Sequence, residues 1–338
     1  MKYVRLGNSG TMVSQVAIGT WHLPGSGKYH LDGVEKVDEA EFYKIVRRAY
    51  DVGINFFDTA NIYHGRVEKN EDHIDHIGNS ERILGRTLKG YDRESIVVAT
   101  KVRGPVSTFP NGEGLSRKHI MWQIRESLNR LDMDYVDLYQ IHWPDPNTPH
   151  LETMTTLSHL VDLDMVRYTG ESNHSASDIE DFMKLSEDHR LHSFVTMQEP
   201  YNILQRDIEK DKLKVAVKYG LGLLAYIPLA QGVLTGKYLK TPESGSRSSY
   251  YPELIEFSRK NEKVVRDLLE IAKEKDITGS QLAIAWLIKR SEIEKIPIIP
   301  LLGVTREAYL DENLAALDVK LSDDDMRRID EITSCVVK

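Results

Sequence analysis

Cysteine is almost missing from this 338-residue chain: Cys335 is its only one. A single cysteine excludes an internal disulfide, and it excludes a zinc or iron–sulfur centre built from several cysteines. A reactive thiol needs an electropositive, shaped surrounding. We see no sign of one near Cys335 and assign it no role.

The chain also lacks long apolar runs and an excess of positive charge. No run approaches the ~18 apolar residues that a membrane-spanning helix needs, and the first residues do not resemble a signal peptide. The formal net charge is -8, and basic residues do not cluster, which argues against binding to nucleic acid or anionic lipid. These features predict a soluble, cytoplasmic protein without nucleic-acid or membrane partners.

A third absence concerns glycine-rich nucleotide loops. No G-x-G-x-x-G follows a strand-like run, so the usual first turn of an open, doubly wound sheet is missing. The GSGK at residues 25–28 lacks both the upstream glycine and the following hydroxyl residue of a phosphate loop. We interpret this segment as a turn.

What the chain does contain is a regular alternation of strands and helices, with 41% hydrophobic and 28% charged residues. Helical patterns with apolar residues at three and four spacing, such as EAEFYKIVRRAYDVG and SRKHIMWQIRESLNRL, separate the strand-like runs. Eight such alternations predict the α/β class, as a parallel (β/α)8 TIM barrel forming a single domain over 1–338. The predicted strands lie near residues 14–19, 54–58, 96–101, 136–142, 166–170, 194–198, 223–227 and 296–301.

Several segments do not fit the simple alternation. The opening KYVRLGNSGTMVSQV predicts an N-terminal β-hairpin, because N-S-G separates two alternating runs. Residues 64–79 and 232–275 are long stretches after strand ends, where barrel enzymes carry extra loops and helices at the C-terminal face. The segment LSDDDMRRIDEIT predicts a closing helix capped by Ser322.

Four ionisable side chains stand at or just after three of the strands. They are Asp58 and Tyr63 after INFF, Lys101 closing IVVAT, and His142 after VDLYQI. A lysine at a buried strand end is unfavourable unless it is paired. A phenol near an ammonium, a carboxylate and an imidazole is a candidate proton donor to a carbonyl oxygen.

These residues, together with LGNSG, GTW, SLNRLDMDYVDLYQIHWPD, VRYTGESN, YIPLAQGVLTGKY and ENLAAL, resemble the aldo-keto reductase superfamily over almost the whole chain. The resemblance implies a catalytic tetrad of Asp58, Tyr63, Lys101 and His142. Tyr63 would be the proton donor, Lys101 would lower its pKa, Asp58 would hold Lys101, and His142 would orient the carbonyl. It also implies that the N-terminal hairpin closes the barrel floor.

The resemblance also implies a nicotinamide cofactor. Ser172, Asn173 and Gln198 would hold the carboxamide, and Tyr226 would stack on the ring. The serine that usually follows this aromatic residue is Ile227 here. The whole implied groove comprises Thr20, Trp21, Ser172, Asn173, Gln198, Tyr226, Pro228, Leu229, Gln231, Gly232, Lys237, Arg247, Gly303, Thr305, Arg306, Tyr309, Glu312 and Asn313.

The adenine end departs from the family pattern. Thr305 and Tyr309 stand where a basic residue and a Gln or Arg are usual, so the 2′-phosphate would be bound by Thr305, Arg306 and Arg247. We expect NADPH to be preferred over NADH, with NADH as the alternative.

The substrate side is implied to be apolar. Trp21 and Trp143 follow strand ends and would line the pocket beside Tyr63 and His142, which favours an aldehyde or ketone substrate. The insertion at residues 64–79 carries His64, His73 and His76, but their spacing matches no closed metal site. We predict a polar lid and no metal.

Three functional hypotheses remain. The first is carbonyl reduction with NAD(P)H. The second is a nucleotide-sensing regulatory subunit resembling the potassium-channel β-subunits, which carry Asn where this chain has His142. Family members that reduce steroid double bonds carry Glu there, so His142 favours carbonyl reduction. The third is a barrel enzyme that acts on phosphate-bearing substrates without nicotinamide. Homo-oligomerisation is left open.

Overall fold

A closed barrel of eight parallel strands forms the centre of the computed structural model, which describes residues 1–66, 74–240, 248 and 251–334. The strands follow one another around the barrel in chain order, and the last pairs with the first. All eight predicted strands are therefore confirmed. They are β3 (Ala17–Gly19), β6 (Phe56–Asp58), β7 (Val97–Val102), β8 (Val136–Ile141), β9 (Val166–Ser172), β10 (Phe194–Pro200), β11 (Gly222–Tyr226) and β12 (Ile298–Gly303).

Helices surround the barrel, and local capping signals fix where several of them begin. Ser116, Ser175, Thr278 and Ser322 each accept a hydrogen bond from a backbone N–H in the first helical turn, which satisfies one of the open donors there. The cap predicted at Ser322 is confirmed. The helices are α1 (Glu39–Asp51), α2 (Asn79–Leu88), α3 (Arg117–Leu131), α4 (His150–Asp162), α5 (Ala176–His189), α6 (Lys212–Tyr219), α7 (Glu253–Lys260), α8 (Glu262–Glu274), α9 (Gly279–Glu294), α10 (Glu307–Leu314) and α11 (Asp323–Thr333).

The predicted N-terminal hairpin is confirmed and closes one end of the barrel. Its strands β1 (Tyr3–Arg5) and β2 (Met12–Ser14) pair antiparallel. Leu6 and Val13 are fully buried and pack with barrel-interior residues such as Val195. Gly7 has a φ of 58°, and a Cβ there would lie 1.8 Å from the Val195 carbonyl oxygen, so only glycine permits this close approach.

The interpretation of GSGK as a turn is wrong. Residues Gly25–Tyr29 form strand β4, which pairs with β5 (Glu35–Val37) in a second hairpin, between β3 and α1. Gly27 has a φ of 69° and the pairing register shifts between Gly25 and Tyr29. Gly27 thus forms a bulge inside a strand. Glycine is common both in bulges and in turns, so composition alone does not distinguish the two.

Two apolar layers hold the barrel together. One fills its interior with short and branched side chains such as Ala17, Val97 and Leu224, and the other fills the space between strands and helices. This packing leaves the carboxyl ends of the strands free to carry polar side chains. Within the described residues, no helix combines the length and the apolar character needed to cross a bilayer.

Candidate active site

A buried lysine organises the carboxyl end of the barrel. The Lys101 ammonium, from β7, donates to Asp58 Oδ2 at 2.6 Å and to the Thr59 carbonyl oxygen at 2.8 Å. Its third contact is the Tyr63 hydroxyl at 3.4 Å. Lys101 has no solvent exposure and Asp58 has 3%. The pairing that the sequence required of Lys101 is present, and it points the cation toward the phenol.

His142 completes the group from the neighbouring strand. It follows β8, and its Nε2 lies 3.5 Å from the Tyr63 hydroxyl oxygen. The two rings meet edge to face at 5.6 Å. The Asn173 side-chain amide donates to the His142 carbonyl oxygen at 2.9 Å, which holds the backbone that carries the imidazole. All four residues of the predicted tetrad are therefore brought together.

The surroundings fix the protonation states of the tetrad. Burial, assisted by the Asp58 carboxylate, raises the pKa of Tyr63 well above its ordinary value. Burial, with the Lys101 and Arg103 cations, lowers the pKa of His142 well below its ordinary value. Burial also lowers the pKa of Lys101, although Asp58 opposes this. Tyr63 is thus a protonated phenol and His142 a neutral imidazole at neutral pH.

The expectation that Lys101 lowers the pKa of Tyr63 is wrong for this structure. Asp58 contacts Lys101 more closely than Tyr63 does, at 2.6 Å against 3.4 Å, and its carboxylate also opposes the phenolate. Desolvation of the phenolate then dominates.

Two amides hold the second oxygen of Asp58. Gln198 Nε2 donates to Asp58 Oδ1 at 2.9 Å, and Gln140 Nε2 donates to the same atom at 3.3 Å. A carboxylate only accepts, so these bonds fix which end of each amide faces Asp58. The side-chain oxygen Oε1 of Gln198 consequently points away from Asp58 and makes no hydrogen bond with the part of the chain that the structure describes.

A second polar network lies at the ends of β9 and β11. The Ser172 hydroxyl donates to the backbone carbonyl oxygen of Gln198 at 2.7 Å. The Tyr226 hydroxyl donates to Asn173 Oδ1, also at 2.7 Å. Asn173 has a φ of 64°, in the left-handed region. The four residues expected to hold and stack on the nicotinamide are thus connected to one another and, through Asn173, to His142.

The segment after β11 is a loop with an unusual backbone. Within residues 227–232, left-handed φ angles occur at Ile227 (50°), Ala230 (47°), Gln231 (56°) and Gly232 (94°). A Cβ on Gly232 would lie 2.7 Å from Lys237 Nζ, so the lysine crosses the loop where glycine leaves space. Pro228 is buried and Leu229 is half-buried in the same loop. Such a run of left-handed turns beside a cation suits an anionic group.

The other predicted anion site lies after β12. Gly303 ends that strand, is exposed, and has open space where a Cβ would stand. Thr305 is half-buried beyond it, and Arg306 begins α10 with its guanidinium 5.7 Å above the Tyr309 ring. The backbone N–H of Glu307, at the start of this helix, already donates to the Glu41 carboxylate. The nitrogen lies 3.2 Å from Glu41 Oε1.

The expected adenine residues occupy different environments. Glu312 accepts a hydrogen bond from the Thr278 hydroxyl at 3.0 Å and so connects α10 to the start of α9. Asn313 is buried. Arg247, expected near the 2′-phosphate, and Cys335 lie outside the described residues.

Aromatic side chains surround the tetrad. Trp21 is 39% exposed. Trp143 lies 4.5 Å from the His142 ring, and the Arg103 guanidinium lies 5.2 Å from the centre of the Trp143 ring. Thr20 is buried, and its N–H donates to the Asp58 carbonyl oxygen at 2.9 Å, which aligns β3 with β6.

The insertion at residues 64–79 is described only at its two ends. His64 is half-buried, and its carbonyl oxygen accepts from the Asn79 side chain at 3.0 Å. His76 contacts Asp32 of the second hairpin at 2.6 Å. His73 lies outside the described residues. Within residues 1–66, 74–240, 248 and 251–334, no cluster of three or more histidines, cysteines and acids could hold a metal ion.

Comparison with known families agrees with this geometry. The model of the Aldo/keto reductase family matches residues 15–334. The chain belongs to this family of oxidoreductases.

Curated relatives of this aldo/keto reductase are named as channel subunits, as aryl-alcohol dehydrogenases or as aldo-keto reductases. A probable voltage-gated potassium channel subunit beta of Oryza sativa subsp. japonica is 35% identical over 94% of this chain and 92% of its own length. A putative aryl-alcohol dehydrogenase of Schizosaccharomyces pombe is 31% identical over 97% of this chain and 95% of its own length. An aldo-keto reductase of Alternaria alternata is 32% identical over 97% of this chain and 90% of its own length.

Sequence reasoning missed several buried polar residues of this family member. Gln140, which contacts Asp58, lies two positions before His142, and this even spacing places both side chains on the same face of the strand. Glu171 and His174 flank the Ser172–Asn173 pair and are both buried. The Arg66–Glu35 ion pair, which joins the insertion to the second hairpin, had no sequence signal because its partners lie 31 positions apart.

Proposed function

We propose that this protein reduces aldehydes or ketones to alcohols with NADPH, and that Tyr63 donates the proton. The observation that supports this most directly is the position of the Tyr63 hydroxyl, between Lys101 Nζ at 3.4 Å and His142 Nε2 at 3.5 Å. A carbonyl oxygen placed there would meet one acid and one further N–H donor.

The residues present fit a nicotinamide dinucleotide. The side-chain oxygen Oε1 of Gln198 faces away from Asp58, and Asn173 Oδ1 has a second lone pair. Both atoms can therefore accept from a carboxamide N–H. The absence of a side chain at Gly232 lets the Lys237 ammonium lie against the loop, where it would meet a pyrophosphate. When bound, the cofactor supplies the hydride that reduces the carbonyl carbon.

The chain's own residues account for the other half of the reduction. Because its pKa is raised, Tyr63 carries its proton at neutral pH and can release it as negative charge develops on the carbonyl oxygen. Lys101 then stabilises the resulting phenolate, and Asp58 holds Lys101 in place. Neutral His142 donates an N–H to the same oxygen and aligns it.

The surroundings of the tetrad favour a flat, apolar substrate. The Trp143 and Tyr63 rings both lie against His142, Trp21 follows Thr20, which bonds to Asp58, and aromatic surfaces favour ring-bearing ligands. Relatives named as putative aryl-alcohol dehydrogenases agree with this chemistry. We therefore propose aromatic aldehydes as the first substrate class to test.

Relatives named as potassium channel β-subunits support a second candidate, a nucleotide sensor with slow turnover. The two functions differ in turnover number. We expect NADPH oxidation with a nitrobenzaldehyde to continue for many equivalents per chain. A single burst of one equivalent would favour the sensor instead.

A substrate panel measured with NADPH and NADH separately would then rank substrates and cofactors. Nucleotide binding without oxidation of any aromatic or aliphatic aldehyde on the panel would contradict the reductase proposal.

A further inference from the structure

A buried glutamate lies behind the proposed carboxamide site, and the reduction itself does not use it. Glu171, next to Ser172 on β9, has no solvent exposure, and His174 has 1%. Since side chains alternate along a strand, Glu171 faces away from the side of Ser172. His174 packs edge to face on Phe182 of α5 at 5.4 Å, which places this pair between the barrel and its helices.

The Glu171 carboxylate closes the turn that carries Asn173. Its Oε2 lies 3.3 Å from the His174 backbone nitrogen and 3.2 Å from His174 Nδ1. His174 Nδ1 also lies 2.9 Å from the Ser172 carbonyl oxygen. The residue before and the residue after Asn173 are therefore bonded to each other across it.

Asn173 needs such support because its backbone is strained. Its φ of 64° lies in the left-handed region, which residues with a Cβ adopt uncommonly, asparagine more often than most. In that conformation its side chain donates to the His142 carbonyl oxygen and to Ser172 Oγ, both at 2.9 Å, and accepts from Tyr226. One side chain thus joins the ends of β8, β9 and β11.

We propose that Glu171 is a positioning residue for nicotinamide binding: through His174 it holds Asn173 in the orientation in which Asn173 Oδ1 and Gln198 Oε1 accept the two N–H groups of the carboxamide. This inference rests on the proposed function. Asn173 already donates both amide protons within the protein, so acceptors are what the site still offers.

The test compares two nucleotides on two variants. Glu171→Ala removes the acceptor, whereas Glu171→Gln keeps one carbonyl oxygen for the His174 N–H. NADPH has a carboxamide with two N–H groups, and its 3-acetylpyridine analogue has a methyl ketone with none. Dissociation constants come from quenching of protein fluorescence, and melting temperatures come from thermal unfolding.

Asp137→Asn is the matched control. Asp137 is also a nearly buried strand carboxylate that accepts a backbone N–H, from Val98 at 2.8 Å, but it lies near the opposite end of the barrel. We expect Asp137→Asn to lower the melting temperature and leave both dissociation constants unchanged.

For Glu171→Ala we expect the dissociation constant for NADPH to rise about tenfold, as for one lost hydrogen bond, and that for the analogue to stay within about twofold. Glu171→Gln should show the same selectivity with a smaller loss, and it covers the case in which the alanine variant does not fold. An equal loss for both nucleotides, or no loss in a folded variant, would overturn the inference while leaving the reductase proposal intact. Wild type that binds neither nucleotide would overturn both.

Discussion

The tetrad residues hold the protonation states that reduction requires before any ligand arrives. Tyr63 keeps its proton because burial opposes the phenolate, and His142 stays neutral because burial and two cations oppose the imidazolium. These states follow from environment and not from residue type. The sequence identified which side chains meet, but the raised pKa of Tyr63 depends mainly on how deeply the phenol is buried, which only the fold determines.

We predict a flat pH profile for carbonyl reduction. A pKa of Tyr63 above its ordinary ~10 and a pKa of His142 below its ordinary ~6.5 keep both groups in their working forms across the interval between those values. The measurement is kcat/KM for an aromatic aldehyde against pH, with stability checked at each pH. A titration of activity inside that interval would show that one of these two pKa shifts has the opposite sign, or that Lys101, whose pKa burial lowers, loses its proton there.

Glu199 gives a prediction about stability. Burial and the neighbouring Glu171 carboxylate raise its pKa to about 8, although Lys212 contacts one of its oxygens at 2.9 Å. The other oxygen is buried without a hydrogen bond to the described residues, so burial outweighs the ion pair.

Between the unfolded-state pKa near ~4.3 and about 8, the folded protein holds a proton that the unfolded chain has lost, so stability falls as pH rises through this window. We expect Glu199→Gln to melt close to wild type near pH ~4 and progressively above it as pH rises toward ~9. The opposite order at the higher pH would mean that the Lys212 ion pair dominates.

At the scale of elements, the second hairpin is the main feature that the sequence did not reveal. Its strands contain glycine and few apolar residues, so neither composition nor period distinguished β4 from a turn. What fixes it is a distant contact. Arg66 of the insertion pairs with Glu35 of β5, and it also donates to the Leu23 carbonyl oxygen at 2.9 Å.

We predict that breaking the Arg66–Glu35 pair destabilises both the second hairpin and the start of the insertion. The side chains of Arg66 and Glu35 are each 10% exposed, and removing one partner of a buried pair costs about 3 to 5 kcal/mol. Glu35→Ala should therefore lower the free energy of unfolding by about this amount, and it should raise KM for aldehydes.

Two comparisons make that prediction specific. Glu39→Ala removes a carboxylate that contacts Arg86 in an exposed pair and should cost at most about 1 kcal/mol. Replacing Arg66 and Glu35 together with methionine should recover much of the loss, because no charge is then left buried. A Glu35→Ala variant as stable as Glu39→Ala would show that the pair does not hold the hairpin.

For the whole molecule, periodicity and strand count predicted the closed barrel because each β/α unit repeats a local pattern. Contacts that shape the groove join residues that no local pattern connects. Gln198 reaches Asp58 across 140 positions, and Glu41 reaches the start of α10 across 266. The second contact bears on cofactor choice, because it places a carboxylate at a helix start expected to bind phosphate.

We predict that NADPH binds more tightly than NADH by a modest margin. A charge-assisted contact from Arg306 to the 2′-phosphate contributes about 1.5 to 3 kcal/mol, and the Glu41 carboxylate opposes it. Titration should show that Arg306→Ala and Arg247→Ala weaken NADPH binding selectively and that Glu41→Gln strengthens it. Arg327→Ala, on α11, is the control. Equal affinities of wild type for the two nucleotides would refute the preference.

The central claim is that Tyr63 supplies the proton, and single-turnover oxidation of bound NADPH by an aromatic aldehyde tests it most directly. In Tyr63→Phe we expect the rate to fall by about 10²- to 10⁴-fold, because the proton donor is lost. The NADPH dissociation constant should stay unchanged, because Ser172, Asn173, Gln198 and Tyr226 remain in place. A Tyr63→Phe rate within about tenfold of wild type would contradict the account.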